Sequence, residues 1–203
     1  MALIIDWPVA LRPASVEWGL VHSQYLGRSS FDSSVQAQTL GAPRWAFTMS
    51  TGVLRHDEVP AWEALIDQLD GQVNRVRCWD WRREAPLGPA TTSGGSVQVR
   101  TAATGVTINS KGWAASVAGI LRAGSMLGVN GELKRLSVDA NSDSSGHATL
   151  TVRPPMRATA PVDAVITLVK PTALFVMTTQ RASMPQEGAR STGWTLSFEE
   201  VPA

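Results

Sequence analysis

Asp57-Glu58-Val59-Pro60-Ala61-Trp62-Glu63-Ala64-Leu65-Ile66-Asp67-Gln68-Leu69-Asp70-Gly71, followed after a short turn by Arg75-Val76-Arg77-Cys78-Trp79-Asp80-Trp81, is the stretch that decides the fold. Asp57 is placed to cap a first helical turn, and Pro60 falls where a missing N–H costs nothing. Trp62, Leu65, Ile66 and Leu69 recur at i, i+3, i+4 and i+7 and share one face, while Glu63, Asp67 and Gln68 fall away from it. Gly71 is placed to end the helix in a left-handed cap. From Arg75 the period becomes two, with Val76 and Cys78 on one face and charges on the other, which predicts a strand over 75–81. These periods imply one amphipathic helix, near residues 58–70, laid across a β-sheet.

Upstream, Arg44 to Thr51 alternates. Trp45, Phe47 and Met49 share a face opposite Arg44, Thr48 and Ser50, as in a half-buried strand leading through Gly52 to the helix. Ser15 to Ser23 reads as a strand bent or bulged at Gly19. Residues 29–41, with Phe31, Val35 and Leu40 among Ser and Gln, read as a polar loop or exposed hairpin. Residues 1–14 carry Pro8 and Pro13 and suit an extended arm or edge strand, able to reach an adjacent subunit. Downstream, residues 173–179 and 193–199 are strand-like, and Trp194, Leu196 and Phe198 share a face; 182–192 reads as a long hairpin loop. Two strands alone are marginal, so this end needs the first half for a core. The expected helix–sheet core is Trp62, Leu65, Ile66, Leu69, Trp45, Phe47, Trp194 and Phe198.

Between them the texture differs. Pro86, Gly88, Pro89 and Thr91-Thr92-Ser93-Gly94-Gly95 form a flexible connector. Short strands then follow at 96–100, around 106–108, and at 133–138, 148–152 and 164–169, with an Asn130-Gly131 hairpin signal. The expected fold is mainly β: an antiparallel β-sandwich or barrel with one flanking α-helix (residues 1–84 and 171–203), and a small all-β barrel inserted at 85–170.

With 203 residues, and 18 basic against 17 acidic side chains, nothing demands nucleic acid or an anionic membrane as partner. The single cysteine, Cys78, forbids an internal disulfide and reads as a buried apolar residue. The first residues lack a basic n-region and are interrupted by Asp6 and Pro8, so no signal peptide or transmembrane segment is predicted and folding in the cytoplasm is expected. His22, His56 and His147 show no ligand or catalytic spacing, and no Gly-x-Ser-x-Gly elbow or phosphate-cradling loop is present. Asp139, Asn141, Asp143 and Ser145 alternate as in a calcium loop, but the twelfth position is Leu150, which favours a solvated turn. Asp80 and Glu84 read as a charged strand end rather than an acid–base pair. Arg75, Arg77, Arg82 and Arg83 are a candidate partner contact or a solvated sheet face. Trp113 is the candidate ring for stacking a sugar.

Trp7-Pro8 near the start, a Trp-bearing strand, the helix Trp62-x-x-Leu65-Ile66-x-x-Leu69-x-Gly71 and the Trp79-Asp80-Trp81 strand resemble tailed-phage virion proteins. Leu121 to Gly131, Ser137 to Val152 and Pro154-Pro155-Met156-Arg157 are similar to inserted modules of the same proteins. Within that group the chain resembles the distal tail protein family. The resemblance implies a non-enzymatic homo-oligomeric ring, a hexamer or a trimer, joining the tail tube protein to tip or baseplate hub proteins. It implies no cofactor, no membrane and no direct nucleic-acid binding. It also implies manufacture in the host cytoplasm and a final place in the virion, with Trp7 and the four arginines as candidate subunit contacts. Another minor tail or terminator protein and a carbohydrate-binding module using Trp113 are the alternatives. A small hydrolase would need a spaced His, Asp and Ser or Cys set, which the sequence lacks.

Overall fold

The computed structural model describes residues 2–201 apart from Ser29, Arg181, Met184, Pro185, Gly188, Ala189 and Thr192. In chain order, β1 (Ile4–Asp6), β2 (Ser15–Val21), β3 (Gln24–Arg28), β4 (Val35–Thr39) and β5 (Arg44–Ser50) lead to α1 (Val59–Leu69) and β6 (Arg75–Cys78). Six strands follow: β7 (Gln98–Val99), β8 (Ala103–Lys111), β9 (Met126–Val129), β10 (Glu132–Leu136), β11 (His147–Ala160) and β12 (Ile166–Thr167). The last are β13 (Ala173–Met177), β14 (Gln186–Glu187), β15 (Arg190–Ser191) and β16 (Thr195–Glu200). Among the described residues the protein is mainly β with one helix.

Strands from both ends of the chain build one six-stranded sheet, in the order β1-β6-β13-β16-β5-β2. Its alternating faces bury Trp45, Phe47 and Met49 on β5, Leu196 and Phe198 on β16, and Val76 and Cys78 on β6. The buried face of α1, Trp62, Leu65 and Leu69, joins Trp194 in the same core, with Ile66 half-buried against it. β1 pairs with β6 in parallel, from Ile4↔Arg75 to Asp6↔Arg77. Residues 1–14 are therefore not a free arm: Trp7 is 3% exposed, and its Nε1 donates to the Leu11 carbonyl at 2.7 Å. Its ring stands edge-on to Trp81, with centroids 4.9 Å apart.

Local chemistry moves three predicted boundaries. Asp57 makes no helix cap. Instead Glu58 occupies the N-cap with no side-chain cap bond, and its Oε2 accepts the Arg55 N–H at 2.9 Å. The left-handed cap is Asp70 (φ 47), one residue before Gly71, and Asn74 bonds the Gln68 and Leu69 carbonyls left over by the last turn. β6 ends at Cys78 rather than Trp81 because Asp80 Oδ1 accepts the Arg82 N–H at 3.0 Å, an Asx turn that folds Trp79 and Trp81 back onto the core. Gly19 introduces no bulge; it pairs in register with Ala46. Residues 182–192 contain the short β14–β15 pair and otherwise lie largely outside the described residues.

The second sheet runs β12-β9-β10-β11-β8-β7. It closes into a barrel because its two edges meet: Ile166 N–H bonds the Val97 carbonyl at 2.8 Å, and Gln98 bridges Val165. β9, absent from the sequence reading, is buried at all four positions, which erases any alternation. β11 runs fourteen residues, far beyond 148–152, and absorbs Pro154-Pro155 at a register shift between Thr151 and Met156. The 85–95 connector is largely exposed, but hydrogen bonds tie it to the barrel at Leu87, Ala90 and Ser93. Leu87 N–H bonds Ser125 Oγ at 3.1 Å, and a Cβ on Gly88 (φ 101) would lie 2.8 Å from the Gly119 carbonyl oxygen.

Barrel and helix occupy opposite ends of the first sheet. α1 follows the C-terminal end of β5, whereas at its N-terminal end Trp45 Nε1 donates to the Leu133 carbonyl at 2.8 Å. Three buried charges and half-buried Arg157 complete that junction. Lys134 Nζ contacts Glu132 Oε2 at 2.5 Å and the Pro155 carbonyl at 2.9 Å. Arg157 forks onto Glu200 at 2.9 and 2.7 Å and donates to the Pro43 carbonyl at 2.9 Å. Burial alone would raise the Glu132 pKa, but the Lys134 ammonium and the Ala158 and Arg157 N–H groups outweigh it and hold it below 4.5. A carboxylate so depressed contributes stability above the ordinary glutamate range, lost as pH falls through 4.5 toward the folded value. Glu132→Gln is expected to cost about 3 kcal/mol at pH 7, since it strands a buried ammonium. It should also flatten the acid limb of the stability profile, as read by urea unfolding between neutral and acid pH; an unchanged acid limb would place the acid sensitivity elsewhere.

Candidate assembly surface

Two strands have no core to belong to. β3 and β4 pair in register from Gln24↔Thr39 to Arg28↔Val35, and every position is exposed except half-buried Gly27. None of their residues joins either hydrophobic core. Yet the hairpin carries Tyr25 (63% exposed), Leu26 (59%) and Val35 (51%), with Phe31 at its tip (99%) and Leu40 at its base (65%). An isolated hairpin is marginal in water, and exposed apolar side chains on both of its faces make it a candidate contact surface. The hairpin expected at 29–41 starts earlier, at Gln24. Tyr25 and Leu26 were the legible signal that the Ser and Gln tract obscured.

The sheet below it has two open edges, β1 and β2. Such rows of unpaired N–H and C=O groups are templates for a neighbouring chain.

The arginines proposed as one contact do not converge. Arg75 and Arg77 alternate with buried Val76 and Cys78 on the outer side of β6, and Arg77 pairs with Asp6 at 2.9 Å. Arg82 forks onto Asp80, with Nε and Nη2 each 3.0 Å from a carboxylate oxygen, and this bond raises the guanidinium pKa. Arg83 is half-buried, and its Nη1 donates to the Gly124 carbonyl at 2.7 Å, tying the turn after β6 to the barrel. Trp7, as shown above, is a core residue. Its apolar bulk among Trp62, Trp81 and Phe198 is what removes it from the surface.

Trp113 is also corrected: it is 1% exposed in the barrel core, and its Nε1 donates to Ser110 Oγ at 2.8 Å. Ser110 in turn donates to the Ala148 carbonyl at 2.8 Å, so the indole has no face for a sugar. The alternating turn is occupied by the chain itself. Asp139 accepts from Ala123 N–H, Asn141 from Gly119 N–H, and Asp143 from both Ser145 and His147 N–H. The His147 backbone N–H is the main reason the Asp143 carboxyl is held below its ordinary range. Among the described residues no group of three or more His, Cys, Asp or Glu could hold a metal ion. Burial, then Asp80, pushes the Cys78 thiol well up and leaves it unreactive.

A groove of about 510 Å³ opens at the base of the hairpin, between Gln24 and Thr39 on one side and Arg135, Arg153 and Pro154 on the other, with His22 on its wall. His56 is exposed in the loop before α1.

Compared with protein-family models and with curated proteins, the chain matches none. Among the described residues no helix is long and apolar enough to cross a membrane.

Trp113→Ala is expected to lower the unfolding free energy by about 3–5 kcal/mol through the cavity it leaves. Urea denaturation reads this directly, and a midpoint equal to that of the parent chain would put the ring back at the surface.

Proposed function

We propose that this chain is a non-enzymatic structural protein of a phage tail that assembles with copies of itself into a ring, a hexamer or a trimer. In this reading the ring joins the tail tube protein to tip or baseplate hub proteins. The chain is made in the host cytoplasm, ends in the virion and uses no cofactor. The observation that carries it is the β3–β4 hairpin: a paired, apolar-bearing projection that contributes to neither core. Natural folds do not leave such a hairpin in water without an occupant for its apolar side chains. The open edges of the sheet support the same reading, because cyclic symmetry satisfies both edges of every copy. The hydrogen-bonded connector and the charged junction hold the barrel against the sheet, which suits a component that thickens a ring. A terminator or another minor tail protein would use the same surfaces at a different position along the tail. The carbohydrate-binding alternative rested on Trp113, which is buried.

The test is native mass spectrometry over a concentration series. The unaltered chain is expected to give a hexamer or trimer. Leu26→Ser with Phe31→Ser is expected to leave the unfolding free energy within about 0.5 kcal/mol of the parent and to abolish the ring. A parent chain that stays monomeric, or a double variant that assembles as the parent does, would overturn this reading of the hairpin.

A further inference from the structure

Two charged surfaces without counter-charges among the described residues lie at opposite ends of the first sheet. Arg135 and Arg153 are direct partners across β10 and β11, an arrangement in which like charges repel. Arg12, Arg44, Arg77, Arg82 and Arg157 each meet a carboxylate; among the described residues neither Arg135 nor Arg153 does. Arg135 is nevertheless held in place, its guanidinium 5.2 Å from the Trp45 ring centroid. Both arginines line the groove at the hairpin base.

The complementary surface is on α1. Glu63, Asp67 and Asp70 follow at i, i+4 and i+7, are exposed, and meet no Lys or Arg side chain among the described residues. Like charges at i and i+4 also weaken a helix, so both surfaces carry a cost that a counter-charge would relieve. Apolar groups accompany each. Val53 (68% exposed) and Val73 (58%) flank α1, as Tyr25 and Leu26 follow Gln24 of the groove wall along β3.

Pro43 lines the groove just before β5, and β5 ends at Ser50 just before the α1 end. Seven extended residues, roughly 20 Å, thus separate the two surfaces, so one copy cannot satisfy them by itself.

We propose that the acidic face of α1 in one copy docks into the Arg135–Arg153 groove of the next, with the β3–β4 hairpin lying over the Val53 and Val73 side. The contact is heterologous: unlike surfaces meet, every copy uses both, and the series closes into a ring or continues as a filament. This rests on the ring reading above and names the interface that makes it.

Charge reversal separates the possibilities. Arg135→Glu with Arg153→Glu makes the groove acidic, and Glu63→Lys with Asp67→Lys makes the helix basic. Each variant alone sets like charge against like and is expected to lose the assembled species in native mass spectrometry. An equimolar mixture is expected to regain assembly, because each altered surface then faces a complementary one on the other variant. Copies must alternate, so a hexameric parent gives an alternating hexamer and a trimeric parent gives even-numbered species instead. Arg153→Glu alone, at an exposed side chain, should weaken assembly with a melting temperature no lower than the parent's, because it removes the repulsion with Arg135; this guards against a folding defect at Arg135. Variants that assemble as well alone as the parent would overturn this contact and leave the ring reading standing. Loss in each variant without recovery in the mixture would also overturn it. A parent chain monomeric throughout the series would overturn the ring reading and this contact together.

Discussion

Glu132, Lys134, Arg157 and Glu200 form a chain of buried charge on which the relation of barrel to sheet depends. Glu200 lies on the last strand and also accepts the Trp45 N–H at 3.0 Å, so one carboxylate binds β16, β5 and, through Arg157, β11. Glu132 binds β10 to β11 through the Arg157 and Ala158 N–H groups. Burial lowers the Lys134 pKa, and its ion pair with Glu132 opposes that shift. Such a network is a weak source of net stability, because desolvating four charges offsets most of the attraction between them. What it provides is geometry: any displacement of the barrel would strand a charge in a medium that cannot solvate it.

Around that junction the aromatic core follows from strand alternation. Phe47 stacks on Trp18 and Phe198 with centroids 4.7 and 4.8 Å apart, and Trp81 meets it edge-on at 5.6 Å. These rings come from β2, β5, β16 and the turn after β6, so the core cannot close until both ends of the chain are in place. The late strands β13 and β16 lie centrally in the sheet, and the open edges fall to β1 and β2. The exposed hairpin is the excursion between β2 and β5. Once the chain has committed its aromatics to the core, the apolar side chains left on β3 and β4 have no internal surface to cover.

The legible parts of the sequence were those with one buried face. Arg44 to Ser50, Thr195 to Glu200 and the Trp62-Leu65-Leu69 stripe each show a period that burial confirms. β9 was not legible because all four of its residues are buried, and β11 because prolines interrupt a strand that the barrel bends around. The candidate contacts were the least legible. Trp7, Trp113 and Arg83 looked available because aromatic and cationic residues serve surfaces and interiors alike. Only their neighbours, Leu11, Ser110 and Gly124, assign the two tryptophans to the interior and tie Arg83 to the barrel.

The sequence by itself determined a mainly β chain with one amphipathic helix, because side-chain period is a local property that needs no partner to be read. The tertiary structure alone decided that the barrel closes through residues 97–99 and 163–166, and that four charged side chains meet in one buried junction. It alone decided, too, that Arg135 faces Arg153 with no carboxylate pairing either among the described residues. Each of these is a meeting of residues remote in sequence, and electrostatic and packing energies depend on distance in space, which chain order does not encode.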